Sequence, residues 1–137
     1  MRVELPFEFI VLGIPVSHQT RNREKLRSWR TTVSRNAQES LGEAVISTDA
    51  PVSLTIVYYH AAGSPDVDNI VKPIQDGLIG VVFRDDSQVS DVRCSRRNLN
   101  GSFYVRGISA ALAEGFVAGE DFVYVRVDDA PAQEILP

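Results

Sequence analysis

The segment PDVDNIVKPIQDGL, residues 65–78, sets Asp66, Asp68 and Asp76 around Lys72, and a second acidic pair, Asp85–Asp86, follows in FRDDSQ. Carboxylates placed among apolar residues are costly unless something positive meets them. Asp66 and Asp68 stand two residues apart. In an extended segment they point the same way, roughly 6–7 Å apart along the backbone. Two carboxylates so placed either raise a pKa or share a cation. Hard oxygens with no Cys or His nearby suit Mg²⁺ or Mn²⁺ rather than zinc. Taken singly, each piece is ordinary: D-x-D is common in turns and caps, Asp-Asp opens type I turns, and Lys72 is spaced to pair with Asp76 at i,i+4. The joint pattern, D-x-D-N-x-x-K-x-x-x-D-x-L with D-D-S-Q downstream, is far more specific.

The elements around these residues are read from period and punctuation. Phe7, Phe9 and Val11 share one face of a strand over 5–12, and GIPVSHQTRNR (13–23) is a loop. Leu26, Trp29, Val33, Ala37 and Leu41 fall at helical spacing, with Gly42 as the stop. PVSLTIVYY (51–59) is a strand with Val52, Leu54, Ile56 and Tyr58 on one face. Pro65 disfavours helix at Ser64, so Asp68 is the expected N-cap of a helix whose stripe is Ile70, Val71, Ile74 and Leu78. Pro73 should lie in or just past its first turn, and Gly77 and Gly80 should end it. Residues 88–97 read as a strand, Val92 and Cys94 inward, Asp91, Arg93 and Ser95 outward. FYVRG extends a sheet or a loop, residues 108–119 carry Ile108, Leu112 and Phe116 at helical spacing, and 122–128 is a final strand. The order β–α–β–α–β–(α)–β predicts an α+β (α/β-like) fold, one domain over 1–137, with a mixed sheet of about four strands and two to three helices. The short return after the second helix could bring the two acidic groups to one edge of that sheet. The tail after Asp129, residues 130–137, is expected to fray.

The chain has 137 residues, 44% hydrophobic and 23% charged, ordinary for a soluble globular domain. Its net charge of −4 is unevenly spread. Residues 114–137 hold six acids and one base, while residues 21–35 hold six bases and one acid, and residues 93–97 hold three arginines. The body is therefore near neutral with basic stretches, and the bland reading of each stretch is a solvated face. The run Phe7–Val16 is too short and mixed for a signal peptide or bilayer helix. The one cysteine, Cys94, has no internal disulfide partner and reads as core, which fits a cytoplasmic location. His18 and His60 lack any G-x-S-x-G or oxyanion signature, and DVDN lacks the glycine and glutamate of an EF-hand loop.

The run PDVDNIVKPIQDGLIGVVFRDDSQVSDVRCSRR closely resembles the RusA-type Holliday-junction resolvases, and GIPVSHQTRNREKLRSW is compatible with that family's N-terminal loop and first helix. Residues 102–120 match nothing of the family and stand as a candidate insertion. The resemblance implies a homodimeric, RusA-like domain that cuts four-way branched DNA by Mg²⁺-dependent phosphodiester hydrolysis, with Mn²⁺ as a substitute. It puts the essential metal-holding aspartates at Asp66, Asp68 and Asp86, with Asp85 as the alternative in the pair, and the catalytic lysine at Lys72. Asn69, Asp76 and Gln88 match family positions as site support or caps, and Asn69 also as a DNA contact. Further DNA contacts are expected from Arg93, Arg96 and Arg97, and from Arg21, Arg23 and Lys25 on the loop side. The competing readings are a junction-binding protein of the same fold without catalysis, and a metal-dependent phosphoesterase acting on another substrate.

Overall fold

The computed structural model of the chain describes residues 1–42, 45–61 and 66–136. The elements are β1 (Phe7–Leu12), α1 (Arg23–Leu41), β2 (Val52–His60), α2 (Val67–Leu78), a 3₁₀ turn (Asp86–Gln88), β3 (Val89–Asn98), α3 (Ala110–Ala118) and β4 (Phe122–Asp129). They form the expected α+β domain, with a four-stranded mixed sheet in the order β1-β4-β2-β3. β4 pairs antiparallel with both β1 and β2, while β2 and β3 run parallel, joined by the crossover through α2. β3 is therefore an edge strand.

Period-two alternation sorts the strands onto two faces. Phe9, Val11, Leu54, Ile56, Tyr58, Val123, Val125 and Val127 face α1 and α2 and are fully or almost fully buried with Leu26, Val33, Ile70, Ile74 and Leu78. Each such side chain contributes about 1.5–3 kcal/mol by leaving water. On the opposite face Ile10, Tyr59 and Phe122 make a smaller core with Leu112 and Phe116 of α3. Gly115 of α3 lies on the Phe122 ring so closely that a Cβ there would stand 2.3 Å from Cε2. α1 begins at Asn22, whose side-chain oxygen accepts the Lys25 N–H at 3.0 Å, and ends at Gly42, with φ +81°.

α2 departs from the sequence expectation in three ways. It begins at Val67, one residue before Asp68, so Asp66 and not Asp68 occupies the N-cap position. The expectation for Ser64 and Pro65 lies outside the described residues. Pro73 is consequently inside the helix rather than at its first turn. A proline there offers no N–H to the carbonyl four residues back, and that carbonyl, of Asn69, instead accepts the backbone N–H of His18 at 2.7 Å. The helix defect thus becomes a docking point for the β1–α1 loop. Finally, Gly77 does not stop the helix: it is the crossing point with α1, where a Cβ would stand 2.9 Å from Val33 Cγ1 and 3.0 Å from the Arg30 carbonyl.

β3 and the segment after it also differ in detail. Val92 lies on the helix-facing side but is 45% exposed, because β3 is an edge strand and no helix covers that position. Residues 103–106 are loop, and Ile108 precedes α3 and is exposed, since the helix is capped at Ser109, whose hydroxyl accepts the Leu112 N–H at 3.2 Å. Beyond β4 the Ala130 N–H bonds the Pro51 carbonyl at 3.1 Å, and the rest of the described tail is exposed.

Gly77→Ala should lower the unfolding free energy by about 1–3 kcal/mol through overpacking at the α1–α2 crossing. The reading is a fall in urea midpoint with an unchanged slope. An unshifted midpoint would mean that the two helices are not closely apposed there.

Candidate active site

The N-terminus of α2 presents two acids whose carboxylates have no partner among the described residues. Asp66 holds an extended conformation at the N-cap (φ −71°, ψ 152°) without a side-chain cap bond, and Asp68 lies in the first turn. Both are exposed, and no described group hydrogen-bonds either carboxylate. They do not form the extended i,i+2 pair, because the helix starts between them. The positive end of the α2 dipole supplies a partial offset to their charge.

Further along α2, Asp68, Lys72 and Asp76 recur every four residues and so share one face. The Lys72 Nζ stands 2.9 Å from Asp76 Oδ1 and 3.3 Å from Asp86 Oδ2, and Arg30 of α1 reaches Asp76 Oδ2 at 3.6 Å. The hydrogen bond to Asp76 raises the Lys72 pKa, partial desolvation opposes the rise, and Asp86 reinforces it. The lysine therefore joins the downstream acidic pair to the helix face that carries Asp68. Asp66, Asp68 and Asp86 are nevertheless not drawn into a compact donor set: among the described residues no three His, Cys, Asp or Glu side chains stand close enough together to hold a metal ion.

The structure separates the roles within the acidic pair. Asp85 caps the 3₁₀ turn, accepting the Ser87 N–H at 3.3 Å and the Ser87 hydroxyl. That hydroxyl, with the amide, holds the Asp85 carboxyl below its ordinary pKa. Gln88 completes the capping box, its Oε1 accepting from the N–H groups of Arg84 (2.8 Å) and Asp85 (3.0 Å) while its Nε2 donates to the carbonyls of Thr48 and Ala50, both at 2.9 Å. Gln88 thus ties the turn to the segment leading into β2, and Asp86 is the member of the pair left facing α2.

The basic residues divide between two faces. Cys94 lies under the start of α2, its thiol donating to the Val67 carbonyl at 3.5 Å, and burial pushes its pKa up to about 11. Arg96, two residues on, shares that face beside Tyr58, and its buried Nε meets no acceptor among the described residues. Arg93 and Arg97 point to the opposite face, alongside Thr55 and Tyr59. The three arginines therefore cannot serve one surface. Arg21, Arg23 and Lys25 are exposed where the loop docked on Asn69 leads into α1. Asn69 enters this arrangement through its main chain.

Asp121 was not singled out by sequence reasoning. It is buried at the start of β4, accepting the Tyr58 hydroxyl at 2.6 Å and the Ala61 N–H at 2.8 Å, while its carbonyl accepts the Gly13 N–H at 2.7 Å. It fixes the end of β2, from which the chain runs on toward Asp66. Burial, then the bond to Asp121, raises the Tyr58 pKa well above the ordinary phenol value. In the sequence Asp121 is one acid among several in an acidic stretch, and its only distinguishing sign is the apolar strand that follows it.

These features define a small mixed-sheet α/β domain with a carboxylate–lysine group at the start of its crossover helix and a basic edge strand beside it. The family model of the endodeoxyribonuclease RusA matches residues 15–106, so the chain belongs to the RusA endodeoxyribonuclease family. The match takes in α1, β2, α2 and β3 with every acid discussed except Asp121; α3 and β4 lie beyond it. No curated protein matches the chain. At the level of the family the activity is that of a nuclease acting on branched DNA junctions.

Asp121→Ala should cost about 2–4 kcal/mol, since the buried Tyr58 hydroxyl loses its acceptor at about 1–3 kcal/mol and the part-buried Ala61 N–H loses its own at about 1 kcal/mol. Asp121→Asn should cost less, because one carboxamide oxygen remains, and chemical denaturation orders the two. A second expectation concerns pH. The Cys94 thiol is raised in the folded state, so stability is intact below the ordinary value of 9.0 and falls as pH rises from there toward about 11. Alkylation by iodoacetamide at pH 8 should be far slower in the native than in the urea-unfolded chain, and comparable rates would place the thiol in solvent.

Proposed function

We propose that this protein is a structure-selective endodeoxyribonuclease that resolves four-way DNA junctions by paired phosphodiester hydrolysis. The observation that carries this reading is Lys72, whose ammonium holds Asp86 against the α2 face bearing Asp68 while the Asp66 and Asp68 carboxylates have no partner among the described residues. The donor chemistry fits Mg²⁺, with Mn²⁺ as a substitute: the carboxylates are exposed, the nearby Cys94 thiol is kept protonated by burial, and Asp85 is already engaged in its turn. Asp66 and Asp68 are the residues that would first hold the ion, with Asp86 joining them only by closing in from the position that Lys72 gives it. When bound, such an ion supplies charge relief at the phosphate and a more acidic water.

The protein's own groups do the rest. Lys72, aligned by Asp76 and Arg30, offers a fixed cation to the charge that develops on the phosphate oxygens. Arg96, on the same side with an Nε–H that meets no acceptor among the described residues, and Arg21, Arg23 and Lys25 give phosphate contacts that add affinity without reading sequence, with Asn69 anchoring the loop that leads into them. Two symmetric cuts suit a two-fold homodimer with one site per protomer. Acting on DNA junctions, the enzyme would work in the cytoplasm, associated with the nucleoid through its substrate.

The purified protein should cut a synthetic four-way junction with Mg²⁺ and leave it intact in EDTA. Asp68→Asn should lose at least about 10²-fold in cleavage while keeping junction binding, and Lys72→Ala should lose a similar factor. Light scattering should give the mass of a dimer. Binding without cutting under every divalent ion would favour the non-catalytic junction binder, and hydrolysis of free nucleotides with no action on junctions would favour the other phosphoesterase. Normal cutting by Asp68→Asn would remove this site from the mechanism.

A further inference from the structure

The face of the sheet opposite the acidic site carries a groove of about 340 Å³ between the β2–β3 edge and the 103–106 loop. Arg93, Arg97 and Arg106 line it with Tyr59, Phe103 and Tyr104. In a chain with 18 acidic residues, no carboxylate lines this groove, and the three arginines make no ion pair among the described residues. The aromatic wall is built. Tyr59 stacks on Phe122 with centroids 4.7 Å apart, and Phe103 packs edge-on to Tyr59 at 5.8 Å and against Phe116 at 5.7 Å. Phe103 therefore pins the loop to the sheet, and its neighbour Tyr104 is left entirely exposed, at 107% of its reference surface. The two strand arginines stand four residues apart on one face, about 13 Å along β3.

Exposed rings beside unpaired guanidinium groups are the chemistry of a surface that stacks bases and neutralises phosphates. A duplex hides the faces of its bases, so the rings have a use only with unpaired nucleotides. We infer that this groove binds a single-stranded segment of DNA, with a base stacked on Tyr104 and the backbone along Arg93, Arg97 and Arg106. The inference rests on the reading of the protein as a DNA enzyme. It adds a second DNA contact on the far side of the sheet, outside the acidic centre, and gives the 103–106 loop a function. An acidic peptide could satisfy the arginines but would leave the rings idle.

The test is fluorescence anisotropy with a labelled oligothymidylate of about 12 nucleotides, a length within the range that one such surface covers. It is run in EDTA, so that binding is read without cleavage. Tyr104→Ala should weaken binding about fivefold or more and Tyr104→Phe should restore it, since the phenyl face suffices for stacking. Arg106→Ala should lower the slope of log K against log salt by about 0.7, the loss of one single-strand phosphate contact. Both sites are exposed, and circular dichroism checks the fold of each variant. Equal binding by wild type and Tyr104→Ala overturns the inference, as does equal competition by polyglutamate, which would mark a general anion site. Junction cutting in Mg²⁺ by the wild type is measured separately. Cutting together with groove-independent binding would sink only the groove, whereas groove-dependent binding without cutting would sink only the proposed activity.

Discussion

A single ammonium group joins parts of this chain that no backbone ladder connects. Lys72 lies between Asp76 on its own helix and Asp86 on the turn before β3, and Arg30 brings α1 to the same charge chain. Without a cation there, Asp86 would face the like charge of Asp76, and Asp76 would keep only Arg30 as a partner among the described residues. All the participants are at least partly exposed, so the bridge is worth little as stability, about 0–1 kcal/mol for a pair of this kind. Its consequence is arrangement: it decides which of two adjacent aspartates turns toward α2. The weakness of the bridge is itself useful, because charges held at such low cost can be rearranged around an anionic substrate without unfolding anything.

The fixed parts of the site come from buried backbone bonds. Pro73 is the clearest case. Inside a helix it leaves the Asn69 carbonyl without its usual donor, a loss comparable to a net hydrogen bond of about 1 kcal/mol. The His18 amide fills that gap and seats the β1–α1 loop on α2. Asp121 does the corresponding work on the other side, collecting donors from β2 and the residue after it. Two local irregularities, a proline in a helix and a buried carboxylate, thus position the segments that carry the exposed charges. A site built this way has a rigid frame and soft contents.

Much of the fold was legible because burial imposes periods. The α1 stripe of Leu26, Trp29, Val33 and Ala37, the alternation of β2, and the order of elements all follow from the need of each element to bury one face. What was not legible depended on tertiary neighbours. Gly77 looks like a helix stop in one dimension and becomes a crossing point only because Val33 faces it. Asp68 looked like the N-cap because Pro65 disfavours helix just before it and the apolar stripe opens at Ile70, yet the helix starts earlier and puts Asp66 at the cap position. Among the candidate site residues, the pairing of Lys72 with Asp76 follows from the i,i+4 spacing, whereas the contact of Lys72 with Asp86 needed the return of the chain after α2, and the division of Arg96 from Arg93 and Arg97 needed the register of β3 against β2. Three arginines within five residues read as one patch until the pleat is applied. Asp121 carried no local signal, since its partners come from segments far away in the chain.

The pleat also explains how an acidic chain can offer basic surfaces. A strand displays alternate residues on opposite faces, so a short arginine run on an edge strand serves two sides at once. The excess acid of this chain lies mostly after residue 113, on α3, β4 and the tail, and part of it is consumed internally, as where Asp128 engages Arg126; on β1, Glu8 likewise meets Arg126 and accepts the Tyr124 hydroxyl, and burial with that bond pushes the Tyr124 pKa up to about 12. Net charge is therefore a poor guide to the field near β3. At distances beyond about 8 Å, salt screens the remote carboxylates, and a phosphate approaching either face of the edge strand meets chiefly the guanidinium groups displayed there.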